Sequence, residues 1–151
     1  MSTVTALTAI VPLVWLGWLV LTDWVPMYPL NDLEHRDHHQ RAVGAATTYP
    51  VGLLISAGVL IGQSWSFATA VILAGSVVVG HVAGWWLPYA GVSVSPQRTI
   101  YREEYSRSVS VLPRAGHDVV VDVQHIVTGV LGLVMLGTSL ASFAHLTLRV
   151  M

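Results

Sequence analysis

One stretch decides the fold class: the residues HDVVVDVQH, numbered 117–125, run directly into IVTGVLGLVMLGTSLASF, numbered 126–143. The second part is apolar over a length that can cross a bilayer as a helix. If the first part is also helical, Asp118, Asp122 and His125 occupy positions i, i+4 and i+7 and share one face. Ionisable side chains at the edge of such a span usually face a protein interior or a water-filled cavity. The pattern predicts a transmembrane helix that is entered through a polar turn.

The composition extends this class to the whole chain of 151 residues, which is 54% hydrophobic and only 10% charged. Its mean hydropathy is +0.65, whereas soluble domains contain about 25% charged residues. Every charged residue except Arg149 lies in one of two windows, 23–41 and 98–122, and such segregation is typical of helical membrane proteins. The chain contains no cysteine, which excludes disulfides and thiolate chemistry. Its net charge of −1 argues against a nucleic-acid partner.

Four apolar runs predict an all-α fold, an integral membrane four-helix transmembrane bundle in a single domain that covers residues 1–151. The predicted transmembrane helices cover residues 4–22, 42–61, 67–89 and 119–146, and the two connectors cover residues 23–41 and 90–117. All arginines except Arg149 lie in the connectors, so the positive-inside rule predicts cytoplasmic connectors and termini outside. A chain that lacks lysine and is rich in Val, Ala and Gly suggests a GC-rich bacterial source, and hence the inner membrane.

The lipid bilayer is the first expected partner, and a second copy of the chain is another. Gly58 and Gly62 have the small-xxx-small spacing that allows close helix packing, and so do Gly80 and Gly84. Either pair predicts a face for a homo-oligomer.

Polar residues on three of the predicted helices lie at a similar depth. At about 1.5 Å per residue, His81, Asp122, His125 and Tyr49 all fall within about 12 Å of the connector side. Four-helix bundles often build sites from facing helices at one level. The predicted ligand-binding residues are His81, Asp122, His125, Tyr49, Thr48, Trp85 and Arg114.

Several functions fit a layer of this kind. His81, Asp122 and His125 with a water molecule would suit a divalent metal. Intramembrane His and Asp also serve as proton or ion relays in small transporters or channel subunits. A third reading is a pocket for a small ligand or for a lipid or isoprenoid headgroup, with arginines of the second connector contacting an anion. These residues could also simply bond the helices together in an accessory or assembly subunit without a site. Whether the protein is an enzyme stays open.

A second cluster, His35-Arg36-Asp37-His38-His39, resembles the HxxHH box of membrane-bound di-iron desaturases and hydroxylases. The resemblance implies iron-binding histidines, but that family uses several such boxes and this chain has one. A full di-iron site is therefore excluded. A smaller metal site at His35 and His39 remains one interpretation, and a solvated helix end is the other.

The second half of the chain carries a further pattern, Trp86-Leu87-Pro88-Tyr89, then Leu112-Pro113-Arg114-Ala115-Gly116, then Asp122-Val123-Gln124-His125. This pattern resembles one that recurs in small, uncharacterised four-helix bacterial membrane proteins. The resemblance implies that Asp122 and His125 belong to one motif with the preceding connector. It implies no activity and no substrate.

Overall fold

A computed structural model describes residues 3–92 and 95–150, with side chains described except at residues 35, 95–97, 149 and 150. Four helices are long and apolar enough to cross a membrane. They are α1 (Thr3–Trp24), α2 (His38–Ile61), α3 (Ser64–Tyr89) and, after a shorter helix, α5 (Val123–Val150). The shorter helix, α4, begins as Ser95–Ile100 and continues as Tyr101–Tyr105.

The four long helices pack as a ring that follows chain order. Helix α1 contacts α2 and α5, and α3 also contacts α2 and α5. The short link between α2 and α3 makes these two helices antiparallel neighbours, as is typical of up-and-down bundles. The predicted all-α four-helix bundle is confirmed.

The core of the bundle is small and the outer surface is apolar. Trp15, Ile55, Phe67 and Met135 are buried at the centre. Only 17% to 28% of each span is buried within the chain, and large side chains such as Ile72 face outward. Apolar side chains on both the inner and the outer faces are the pattern of a helix bundle surrounded by lipid.

Two glycines set the distance between neighbouring helices. A Cβ atom at Gly52 would lie 3.1 Å from the Pro12 carbonyl oxygen of α1, and one at Gly58 would lie 3.3 Å from the Ser66 carbonyl oxygen of α3. Gly58 therefore packs within the chain. Gly62 ends α2 with a φ of +75°, a conformation that glycine adopts without steric cost.

A π-helical turn, Val82–Trp86, interrupts α3 near its end. Pro88 explains its position, because proline has no N–H to donate to the carbonyl of Gly84 and its ring would collide with that carbonyl in a regular helix. The Leu87 amide instead donates to the Val82 carbonyl, five residues earlier. The wider turn changes the direction of Trp85, and π-turns often occur at functional sites.

Candidate functional site

Polar side chains gather at one end of the bundle, which we call the connector end. Here α1 and α3 end and α2 and α5 begin, so both connectors lie at this end. Two groups of buried polar residues lie at this end. One is centred on His125 and the other on Arg36.

The fourth spanning helix begins at Val123, and the side chain of Asp122 caps it. Asp122 Oδ1 accepts a hydrogen bond from the backbone N–H of His125 at 2.9 Å, and Ser108 Oγ donates to Oδ2 at 2.7 Å. A carboxylate at this position satisfies a free amide of the first turn and also complements the helix dipole. Asp122 is only 1% exposed.

The predicted helical face of Asp118, Asp122 and His125 is therefore wrong. Residues 119–121, all valine, are not helical, and Val121 accepts a backbone hydrogen bond from Val111. β-Branched side chains favour extended over helical backbone. Asp118 lies outside the helix and pairs with Arg98 at 3.3 Å.

His125 is held between Asp122 and two aromatic rings. Its Nδ1 lies 2.6 Å from Asp122 Oδ1. The indole of Trp85 stacks on the imidazole with ring centroids 3.3 Å apart, and the ring of Tyr105 meets it edge-on at 4.9 Å. The side chain can therefore neither rotate nor flip freely.

The charge of Asp122 fixes which nitrogen of His125 bears hydrogen. Burial alone would raise the pKa of Asp122, but the hydrogen bonds from His125 and Ser108 and the charge of His125 outweigh it, so the pKa lies below its ordinary value. An ionised carboxylate only accepts hydrogen bonds, so Nδ1 must be the donor. In the neutral imidazole, Nε2 then carries the lone pair and is available to a proton or a ligand.

A cavity of about 270 Å³ lies beside this imidazole. Its walls come from α3, α4, the segment before α5 and the first turn of α5, and they are mainly aromatic and aliphatic. The lining residues are Gly84, Trp85, Ile100, Tyr101, Tyr105, Val119 and His125.

His81 precedes Trp85 by four residues on α3. Its ring is roughly parallel to that of His125, and the two ring centroids are 6.5 Å apart. Its Nε2 is buried without a hydrogen-bond partner in the described part of the chain. The ring lies directly over Gly129 of α5, where a Cβ atom would come within 2.5 Å of Nε2. Gly129 is thus the residue that gives the imidazole its space.

We expect Gly129→Ala to lower the thermal unfolding midpoint, because the new methyl group forces the His81 ring out of its position. An overpacking cost of about 1–3 kcal/mol is typical. Adding His81→Ala should restore most of the lost stability, and Gly137→Ala on the same helix, where a Cβ meets nothing within 4 Å, is the control. A Gly129→Ala protein as stable as wild type would contradict this packing.

The second polar group is built around Arg36 in the first connector. Its guanidinium lies 3.1 Å from Glu104, 3.4 Å from Asp23 and 2.7 Å from the hydroxyl of Tyr105. Arg36 and Glu104 are both buried. This arginine therefore ties the end of α1 to the end of α4.

Tyr49 reaches this group from α2. Its hydroxyl donates to Asp23 Oδ2 at 3.1 Å and accepts from the indole N–H of Trp24 at 2.9 Å. Tyr105 links the two polar groups, since it accepts from Arg36 through its hydroxyl and touches His125 with its ring. Burial raises the pKa of Tyr105 above its ordinary value although the charge of Arg36 opposes this, so the phenol keeps its proton.

The structure thus brings His81, Trp85, Asp122 and His125 together, while Tyr49 belongs to the Arg36 group. Thr48 is half-buried on α2. Arg114 bonds within the second connector. Its guanidinium donates to the Ser110 hydroxyl and to two backbone carbonyls, those of Ser106 and Ser108. It supports the loop that presents Ser108 to Asp122.

The geometry does not support the predicted metal centre. Among the described residues, no three His, Asp or Glu side chains are placed to hold a metal ion. Asp122 engages Nδ1 of His125, and the His81 ring is stacked beside that of His125 at 6.5 Å. His39 is exposed at the start of α2, and the side chain of His35 lies outside the described part of the structure.

Four residues of the site went unpredicted: Arg36, Glu104, Tyr105 and Ser108. Arg36 lies within the histidine cluster of residues 35–39. A buried arginine usually pairs with a carboxylate, but the local sequence does not show that Arg36 is buried. The partner Glu104 is 68 residues away, and no local spacing reveals that contact.

Comparisons with protein-family models, with curated proteins and with solved structures yield no match for this chain.

Proposed function

We propose that this chain is a multi-pass bacterial inner-membrane protein that binds an amphiphilic ligand, a lipid or isoprenoid, at the Asp122–His125 pair. The observation that carries the proposal is the buried pair at 2.6 Å beside an aromatic cavity. The ligand's polar group would meet Nε2 of His125. Its apolar part would contact the walls of the cavity.

The size and lining of the cavity favour a headgroup or a ring over a whole lipid. A volume of about 270 Å³ lies just below the range of about 300–1,000 Å³ for small-molecule sites. Ile100 and Val119 supply aliphatic wall, while Trp85 and Tyr101 supply flat aromatic faces. Such a lining favours a molecule with a small polar end and a hydrophobic body.

The Asp–His pair gives the site its chemistry. A carboxylate that accepts from Nδ1 fixes the tautomer and the orientation of the imidazole. Neutral Nε2 can accept a hydrogen bond from a ligand hydroxyl, and protonated Nε2 can donate to a phosphate or carboxylate. Both Asp122 and Trp85 hold the ring in place for either role.

The site would face the cytoplasm. The connectors carry all the arginines except Arg149, and the positive-inside rule then places the connector end in the cytoplasm. Single cysteines introduced into this cysteine-free chain test the orientation. A cysteine at the exposed Arg102 should react with an impermeant reagent only after the cells are opened, and labelling of intact cells would contradict the orientation.

We expect His125→Gln to lose the bound ligand, because glutamine cannot reproduce the oriented Nε2 that Asp122 and Trp85 hold. The measurement is native mass spectrometry and lipid extraction of protein purified in mild detergent. The matched control is His117→Gln, since His117 also stacks on an aromatic ring, Tyr89 at 4.0 Å, but lies outside the cavity. If wild type carries no amphiphile, or both variants retain it equally, the proposal fails.

A second function has one observation in its favour. Asp122 bonds to Nδ1 of His125 at 2.6 Å, and the His81 ring lies 6.5 Å from that of His125. Paired His and Asp groups at a membrane span can serve as a proton or ion relay in a small transporter or channel subunit. Proteoliposomes under a pH gradient should then show a proton flux that His81→Ala reduces, and an inert protein at every gradient removes this function.

An accessory subunit would instead use its outer face. Gly80 faces open space, because a Cβ atom there would meet nothing within 4 Å, whereas Gly84 lines the cavity beside His125. A dimer through this face remains a proposal, which the mass of the detergent-solubilised protein tests.

A further inference from the structure

A second cavity, which we call the first-connector cleft, lies apart from the His125 cavity. It has a volume of about 640 Å³ and shares no lining residue with that cavity. Its walls come from the end of α1, the first connector, the start of α2 and one arginine of the second connector. The lining residues are Trp24, Pro26, Tyr28, Asn31, Asp32, Leu33, Glu34, His38, Arg41 and Arg107.

Part of this cleft is rigid. Asn31 is buried, and its side-chain amide donates to the carbonyls of Thr22 and Val25 while its oxygen accepts from the backbone N–H of Met27. These bonds fold the first connector back against the end of α1. The wall of the cleft that the first connector forms is thus anchored to the end of α1.

Arg41 carries a charge that the described structure leaves without a counter-ion. It is only 6% exposed. It donates to the backbone carbonyl of Asp23 at 3.1 Å and to His38 Nδ1 at 2.8 Å, and it stacks over Trp24 at 5.4 Å. All of these partners are uncharged groups, and Nε has no hydrogen-bond partner among the described residues.

The contrast with Arg36 makes this observation informative. Arg36 is buried to a similar extent, but it forms ion pairs with two carboxylates, Asp23 and Glu104. No ion pair of this kind joins Arg41 to a carboxylate in the described part of the chain. A buried charge without a counter-ion raises the free energy of the folded state. We therefore expect an anion from outside the chain to bind beside Arg41.

Two neighbours add donors on the same cleft. A guanidinium can only donate, so Nδ1 of His38 must accept from Arg41, and the hydrogen of the neutral ring then sits on Nε2. Arg107, whose side chain is 59% exposed, lines the cleft and lies 3.9 Å from Asp32. Guanidinium and imidazole donors are groups that recognise phosphate. Two carboxylates, Asp32 and Glu34, line the same cleft, and Asp32 lies beside Arg107.

We infer that the first-connector cleft binds the phosphate group of an organophosphate, with Arg41 as the main counter-ion and His38 and Arg107 as further donors. The source is either a phospholipid headgroup or a soluble phosphate ester, since the cleft lies where α1 ends and α2 begins. Trp24 and Tyr28 at its wall would contact the organic part of the ligand. This site is independent of the proposed ligand at His125.

The test is the thermal unfolding midpoint of the purified full chain in detergent. Three probes separate the sources: phosphatidylglycerol in mixed micelles, diacylglycerol as the same chains without phosphate, and glycerol phosphate in solution. We expect a rise of about 5 °C at a ligand concentration of about 100 times Kd. A rise with glycerol phosphate assigns a soluble ester, and a rise with phosphatidylglycerol alone assigns the lipid.

Arg41→Gln should abolish the rise, and Arg102→Gln, an exposed arginine outside the cleft, should leave it unchanged. If Arg41→Gln does not fold, Arg107→Gln decides, because a reduced rise supports the site and a full rise overturns it. Three other results also overturn the inference: no rise with either phosphate probe, an equal rise with diacylglycerol, or a rise that survives in Arg41→Gln.

Discussion

Replacing Arg36 by methionine should lower the free energy of unfolding by about 3–5 kcal/mol, the cost typical of removing one partner of a buried ion pair. The methionine fills a similar volume but leaves Asp23 and Glu104 without their counter-charge. Both carboxylates lie within 3.4 Å of the guanidinium in the native protein. The measurement is denaturant or thermal unfolding in detergent, and Arg102→Met at an exposed position is the matched control.

The same pair of carboxylates provides a stricter test. Combining Arg36→Met with Asp23→Asn and Glu104→Gln removes both unpaired charges, so the triple variant should recover most of the lost stability. Well-packed neutral groups often replace a buried ion pair without cost. If Arg36→Met alone is as stable as the control, the Arg36 group contributes nothing to the closure of the connector end.

Arg36 also affects the site, because it contacts Tyr105 through both the hydroxyl and the ring face. Tyr105 in turn packs edge-on against His125 and Trp85. A loosened Tyr105 would leave one side of the imidazole unsupported. Arg36→Met should therefore weaken retention of the proposed amphiphilic ligand at His125, even under conditions in which the variant remains folded.

Hydropathy was sufficient to predict the four spanning helices, since long apolar runs interrupted by charged segments have few other folds. The depth of the polar layer was also accessible, because helix rise fixes how far each residue lies from a connector. His81 and His125 are indeed neighbours, and Trp85 joins them. The direction of Trp85 depends on the π-turn that Pro88 causes, and no periodic helix pattern would show it.

The start of the last helix could not be derived from spacing alone. The spacing of residues 117–125 fits a helical face. The three consecutive valines within this stretch, however, favour an extended conformation. The pairing partner, Val109–Val111, lies in the other arm of the connector. Asp122 is consequently a cap that holds His125, and the relation between the two residues is closer than the predicted helical spacing implied.

Asp122→Asn should reduce the loss of stability that the wild type shows in the acidic range. The folded protein holds the pKa of Asp122 below its ordinary value of 3.8. A depressed carboxyl pKa contributes stability above the unfolded-state pKa, and this contribution disappears as the pH falls through the folded-state pKa. The wild type should therefore lose the contribution of Asp122 to its free energy of unfolding below about pH 4. The variant lacks the titrating group and has no such contribution to lose.

At neutral pH the same variant should be less stable than the wild type by about 2–4 kcal/mol, because it loses the charge-assisted bond to His125 and part of the helix cap. Asparagine can still accept from the His125 amide, so Asp122→Ala should cost more. Asp118→Asn is the control, since Asp118 is exposed and pairs with Arg98 at the surface, where ion pairs contribute about 0–1 kcal/mol. Unfolding measured from pH 3 to pH 7 compares all three variants. If Asp122→Asn and Asp118→Asn lie on the same curve, the Asp122–His125 pair is not what organises the start of the last helix.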